Sequence, residues 1–181
     1  GMLGIVVEVL VRLLPQPGVA RVLMGAFDDI EKAGNAVASV IAAGVIPGGF
    51  EMMDKAAIQA SEDFTGAGYP TSAEAILLCE LDGTEADVIS QIEKVEKLLN
   101  DAGAVDIRLA RDENQRVRFW SGRKNAFPAM GRISPDYYCM DGTIPRKDLG
   151  NVLSRIAGMS EKSGLRVANV FQAGDGNLHP L

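Results

Sequence analysis

Residues 75–110 read AILLCELDGTEADVISQIEKVEKLLNDAGAVDIRLA. Residues 75–81 form a short apolar run of strand type, closed by the turn pair Asp82-Gly83. Thr84-Glu85-Ala86-Asp87 then has the pattern of a helix N-terminal capping box. Val88, Ile89, Ile92, Val95, Leu98 and Leu99 recur at helical spacing, so the helix runs to Asp101 and buries that face. Gly103 ends it in the position that favours a left-handed backbone, and residues 105–110 return as a strand. The stretch is therefore one complete strand–helix–strand unit.

The same grammar extends to both sides. Upstream, Val19–Phe27 is a strand bounded by Pro17-Gly18 and Asp28-Asp29. Ile30, Ala33, Val37, Val40 and Ile41 follow as a helix capped by Asp28 or Asp29 and closed by Gly44. Residues 45–53 read as a strand interrupted at Pro47-Gly48-Gly49. Asp54 opens a short helix to about Phe64, and 65–72 is a loop. Two successive βαβ units of this length predict an α+β fold of ferredoxin-like type. Its antiparallel sheet would carry helices packed on one face. Downstream, 112–126 reads as a helix holding Trp120 and Arg123 and stopped by Pro128. A strand over 136–140 leads through Pro145 into a helix with Leu149, Val152, Leu153, Ile156 and Met159 on one face. Gly164 closes that helix before a last strand from Val167. At the other end, residues 3–15 form a β-rich run, and Gly1-Met2 reads as a tag remnant.

Composition narrows the class of function. The 181 residues are 47% hydrophobic and 23% charged, which suits one compact domain or two small ones. A net charge of −6 argues against general nucleic-acid binding. Residues 108–132 reverse that sign locally, with seven basic residues against Asp112 and Glu113. Such a patch suits a small anion, or is simply a solvated helix face. Cys79 and Cys139 each sit in an apolar strand-like run, as two reduced, buried cysteines would. No signal peptide and no membrane-spanning apolar run is present, so the protein is expected to be soluble and cytoplasmic. A place at the membrane periphery stays open for a complete enzyme.

The chain ends VANVFQAGDGNLHPL (167–181), which delivers the only histidine, His179, after the turn Gly174-Asp175-Gly176-Asn177. Glycines flanking an Asp allow positive φ and close backbone approach to a ligand, and the same dipeptides also make ordinary turns. The string AGDGNLHP resembles the C-terminal signature of FAD-linked 2-hydroxy-acid oxidases and dehydrogenases of the vanillyl-alcohol-oxidase-like superfamily. The glycolate oxidase flavoprotein subunits are the members it resembles most. RKNAFPAMGR (123–132), SPDYYCMDGTIPR (134–146), GFEMMD (49–54) and the LGIV of residues 3–6 extend that resemblance in order over nearly the whole chain.

The resemblance implies the C-terminal cap, or substrate, domain of such an enzyme over residues 1–181, with the family's N-terminal FAD-binding domain expected ahead of residue 3. The complete protein would oxidise glycolate or a similar D-2-hydroxy acid to the 2-oxo acid, with FAD as hydride acceptor. Further oxidase subunits are possible partners. The isolated chain is expected to be inactive and to carry no FAD. Trp120-x-x-Arg123 resembles the W-x-x-R of related dehydrogenases, which makes Arg123 the holder of the substrate carboxylate. Lys124 is a weaker neighbour, because adjacent helical residues point in different directions. One of Tyr137 and Tyr138 is expected to face the substrate. Gly174, Asp175, Gly176 and Asn177 are the expected cofactor contacts.

His179 is the natural proton acceptor, since imidazoles exchange protons near neutral pH. It is also a weak metal candidate. The family's partner histidine, seven residues earlier, is here Gln172, so a divalent metal is not expected. The alternative reading is a free-standing ferredoxin-like domain that binds a small carboxylate or mediates assembly without catalysis.

Overall fold

The computed structural model describes residues 3–13 and 16–181. The expected tag remnant at Gly1-Met2 and the end of the β-rich run at Leu14-Pro15 fall outside them. Seven strands and six α-helices follow in order: β1 (Val19–Phe27), α1 (Ile30–Ala42), β2 (Gly49–Asp54), α2 (Lys55–Thr65), β3 (Ala75–Gly83), α3 (Glu85–Asp101), β4 (Asp106–Leu109), α4 (Glu113–Lys124), α5 (Ala126–Ile133), β5 (Gly142–Thr143), α6 (Leu149–Ser163), β6 (Val170–Phe171) and β7 (Asn177–Leu178).

The main sheet is antiparallel throughout, in the order β4-β1-β3-β2-β6. Its first four strands have the ferredoxin-like arrangement expected from the two βαβ units. Strand alternation divides the sheet into two faces. Leu23 and Phe27 of β1, with Leu77, Cys79 and Leu81 of β3, point to a core completed by α1, α3 and α6. Val22, Met24 and Ala26, with Ile76 and Leu78, point to a second core under α2, α4 and α5. The two helices of the ferredoxin-like unit thus share one face, as expected. Of the added helices, α6 joins that face, and α2, α4 and α5 cover the other.

The helix caps follow the sequence closely. The Asp29 carboxylate accepts from the Glu31 and Lys32 amides, and the Thr84 hydroxyl from the Asp87 amide. Asp54 caps α2 through the Ala57 amide at 3.0 Å. It also accepts from the Asn169 amide (2.7 Å) and side-chain nitrogen (2.8 Å), tying the C-terminal segment to β2.

Several expectations need correction. The apolar run of residues 3–13 is not a strand; it lies exposed and pairs with nothing in the sheet. A helix breaks at Asn125, not at Pro128, which sits in the first turn of α5, where its missing N–H is no loss. Residues 136–140 form no strand, and only Gly142–Thr143 pairs, with β7. Cys139 is exposed, whereas Cys79 is buried and its thiol is pushed up to about 12 by that burial. Ile89 and Met159 also face outward. Among the described residues no helix is long and apolar enough to cross a membrane.

Two glycines set the distance between α1 and α6. A Cβ at Gly34 would stand 2.6 Å from the Gly150 amide nitrogen. Gly34→Ala is therefore expected to destabilise the fold by about 1–3 kcal/mol, since backbone must move to admit the methyl. Gly158, in the same helix α6, has open space around its Cβ position. Gly158→Ala should stabilise by about 0.5–1 kcal/mol. Urea denaturation of both variants checks the pair, and equal effects would refute the close contact.

Asp54 makes a second prediction. Burial pushes its carboxyl above the usual carboxylate range, against the pull of its N–H donors. The folded state therefore binds this proton more tightly than the unfolded chain, and Asp54's contribution to stability falls as pH rises through the folded pKa. Asp54→Asn is neutral at every pH and carries a fixed hydrogen-bonding penalty. Its stability relative to wild type should therefore improve as pH rises above the usual aspartate range, about pH 4. A difference that stays flat above that range would contradict this.

Candidate functional site

The C-terminal motif lies at the β6 edge of the sheet. Met52 and Met53 of β2 pair with Phe171 and Val170, so one step further along this register Glu51 lies opposite Gln172. Gln172 in turn bridges Asn177, and the Val170 amide donates to the His179 carbonyl. Glu51, Gln172 and Asn177 therefore make one row across the strands, with Met53, Val170 and His179 in the next. Both rows share a sheet face with α4 and α5.

The turn itself is self-contained. The amides of Asp175 and Asn177 donate to the Gln172 carbonyl, and the Gly176 amide to that of Ala173. Gly176 has φ +72, and a Cβ there would meet the Ile144 carbonyl oxygen at 2.2 Å. A Cβ on Gly174 would press on Phe50 at 3.1 Å, and the Arg146 guanidinium donates to the Gly174 carbonyl at 2.9 Å. Gly176 is thus required by contacts within the chain, and Gly174 sits tight against Phe50. The group left over is Asn177 Oδ1, buried without a hydrogen-bond partner among the described residues. An unpaired buried acceptor is costly, so this atom fits a ligand N–H, such as the ring edge of a flavin offers.

Arg123 projects from α4 onto β2. Its Nε donates to Glu51 Oε2 at 3.0 Å, its Nη2 forms an ion pair with the same oxygen at 2.9 Å, and both side chains are 12% exposed. Burial pushes the Glu51 carboxyl above the usual range; Arg123 pulls it down, Asp175 pushes it up, and His179 pulls it down. Trp120, one turn earlier, donates its indole N–H to Glu80 at 2.5 Å, and Arg116 pairs with the same carboxylate at 2.6 Å. Two carboxylates on neighbouring strands thus pin α4 to the sheet. Much of the basic excess of residues 108–132 is met inside the chain, since Arg108 pairs with Asp106 and Arg132 lies over the Phe64 ring. Lys124 is exposed on the other side of the helix.

His179 is largely buried, with its ring edge-on to Phe127 at 6.1 Å between centroids. Its Nδ1 lies 3.8 Å from the Asp141 carboxylate. The Tyr137 hydroxyl donates to the Phe127 carbonyl at 3.3 Å, whereas Tyr138 is 81% exposed. The structure thus sets Arg123 on Glu51, places Asn177 and His179 in rows on the same sheet face, and sets Tyr137 against the helix that meets His179. Sequence reasoning assigned no role to Glu51, Asp141 or Phe127. The available signal was the carboxylate of Glu51 between the apolar Phe50 and Met52.

Residues 16–181 match the model of the C-terminal domain of FAD linked oxidases, and the chain belongs to that family. It is 66% identical, over its whole length, to the glycolate oxidase subunit GlcD of Escherichia coli K12, of which it covers 36%. The Bacillus subtilis GlcD is 34% identical over 99% of the chain, which covers 38% of that relative. The mitochondrial D-lactate dehydrogenase [cytochrome] of Arabidopsis thaliana is 26% identical over 99% of the chain, which covers 32% of that protein. The chain thus spans about a third of the length of these relatives. Solved structures share the fold at low identity. Alkyldihydroxyacetonephosphate synthase superposes with a TM-score of 0.67 at 13% identity, over 91% of this chain and 36% of its own. p-Cresol methylhydroxylase gives 0.64 at 13% identity, over 93% of this chain and 39% of its own. The family is one of FAD-linked oxidases, so FAD is the cofactor of the complete protein.

The donor set here suits a metal poorly. Among the described residues no three His, Cys, Asp or Glu side chains gather as a metal site would need. Beside His179 stand the exposed Asp141 carboxylate, 3.8 Å from Nδ1, and, at the diagonal position across the reversed chain, the neutral amide of Gln172. Dialysed protein is expected to hold no stoichiometric zinc or manganese by elemental analysis. Gln172→His should raise zinc affinity measurably in calorimetric titration, because it places a second imidazole on the same face. An unchanged affinity would show that positions 172 and 179 do not converge.

Proposed function

We propose that this chain is the substrate-facing cap domain of a flavoprotein that oxidises glycolate or a similar D-2-hydroxy acid to the 2-oxo acid. In the complete protein it would work beside an FAD-binding domain. The observation that carries this reading is a largely buried guanidinium, Arg123, held by Glu51 on the sheet face that also carries the histidine of the motif, His179. The names of the GlcD relatives support the substrate class.

Each residue has a distinct task. Arg123 retains its Nη1 group and one Nη2 N–H, enough to hold a carboxylate by two parallel bonds. His179 Nδ1 faces Asp141, which favours the proton on that nitrogen and leaves Nε2 to accept the substrate hydroxyl proton. Phe127 walls one side of the imidazole, and Tyr137 braces the Phe127 backbone. The turn 174–177 would hold the cofactor through Asn177 Oδ1, whose missing donor a flavin N–H would supply. FAD, when bound, takes up the α-hydrogen with its electron pair.

Arg123→Lys in the complete enzyme keeps the charge but loses the fork. It should cost about 1–3 kcal/mol in kcat/KM while leaving FAD content intact. Steady-state turnover of glycolate with a dye acceptor tests this, and an unchanged kcat/KM would remove Arg123 from the site. His179→Gln should lower kcat about 100-fold or more, with KM less affected.

A further inference from the structure

The Arg123–Glu51 pair has an asymmetry that a simple surface ion pair would lack. The Nε hydrogen bond and the Nη2 ion-pair contact both lie on one edge of the guanidinium and converge on the single oxygen Oε2. The remaining donors, both on Nη1 and one on Nη2, have no hydrogen-bond partner among the described residues. Those donors form the edge that matches a carboxylate. Glu51 is itself fixed: it sits mid-strand in β2, paired with Leu78 of β3, between the buried Phe50 and Met52. Trp120 and Arg116 anchor the preceding turns of α4 to Glu80, so the Arg123 stem also leaves from a held helix. The guanidinium is thereby held along its Nε edge, and its Nη1 donors are left for a ligand.

We infer that Glu51 is the positioning residue of the substrate clamp. It holds the rear edge of Arg123 so that the free edge meets the carboxylate of the 2-hydroxy acid. This rests on the reading of Arg123 as the clamp. One oxygen does the holding, so what matters is an acceptor at the reach of a glutamate side chain, and the negative charge is dispensable. A role as competitor for Arg123, or a purely structural one, makes opposite demands.

The test uses the complete flavoprotein with FAD bound, turning over glycolate with a dye acceptor. Four variants are compared: Arg123→Ala, Glu51→Ala, Glu51→Gln and Glu51→Asp. Glutamine can present its amide oxygen to the same edge of the guanidinium, so Glu51→Gln should keep KM within about threefold of wild type. Aspartate keeps the charge but withdraws the oxygen by one methylene. Glu51→Asp and Glu51→Ala should each raise KM about 10-fold or more, with kcat changed less. The Gln and Asp variants decide the matter even where Glu51→Ala fails to fold, and their melting temperatures separate damage to the fold from damage to binding. A KM that is unchanged or lowered in Glu51→Asp overturns the inference, as does one raised equally in Gln and Asp. Arg123→Ala tells the two levels apart. An unimpaired Arg123→Ala removes the clamp and this inference with it. An impaired Arg123→Ala beside a normal Glu51→Asp removes this inference alone.

Discussion

The pairing of β1 with β3 is the constraint on which everything else depends. Its register runs unbroken from Val19 opposite Gly83 to Phe27 opposite Ala75. Once these strands lie side by side, alternation decides which side chains belong to which core, and a slip of one residue would exchange the two sets. β2 and β4 then pair on opposite flanks of this central couple, and every helix packs on one of the two faces it defines. The Glu51–Arg123 contact is a late consequence of this order. Glu51 shares its face with Leu78 and Met53, the face that α4 covers.

Asp54 does for the C-terminal segment what β1–β3 pairing does for the sheet. The chain between α6 and the motif makes only a two-residue strand against β2, too little on its own to fix a site. A buried carboxylate that accepts both nitrogens of Asn169, backed by the Asp54 amide donating to the Asn169 carbonyl, sets the register there. His179 follows ten residues later on the returning strand. The position of the imidazole therefore depends on a group at the far end of β2.

Most of the fold up to residue 110 was legible because its signals are local. Asp29, Asp54 and Thr84 announce helix starts by their own hydrogen-bonding chemistry, and Gly44 and Gly103 mark helix ends by theirs. Beyond residue 125 the decisive factors are tertiary. Pro128 stops a helix or starts one according to whether the preceding turn has already ended, which a single sequence leaves open. Tyr137, Tyr138 and Cys139 have strand-type side chains but find no partner strand, so they lie exposed. The run of residues 3–13 shows the same limit: β propensity describes a fit to neighbours and fails where none pair. At the site, the motif pointed to His179 and Arg123. Glu51 stayed hidden because its meaning lies in a residue 72 positions away.

The turn at 174–177 spends its amides on its own carbonyls and its glycines on its own neighbours. A loop left open for a ligand would have to surrender conformational freedom when the ligand arrived, at about 1–2 kcal/mol for each residue brought to order. This turn has made that surrender already, during folding. Whatever meets Asn177 Oδ1 encounters a finished surface, so the affinity of that contact is not drawn down by ordering the backbone beneath it.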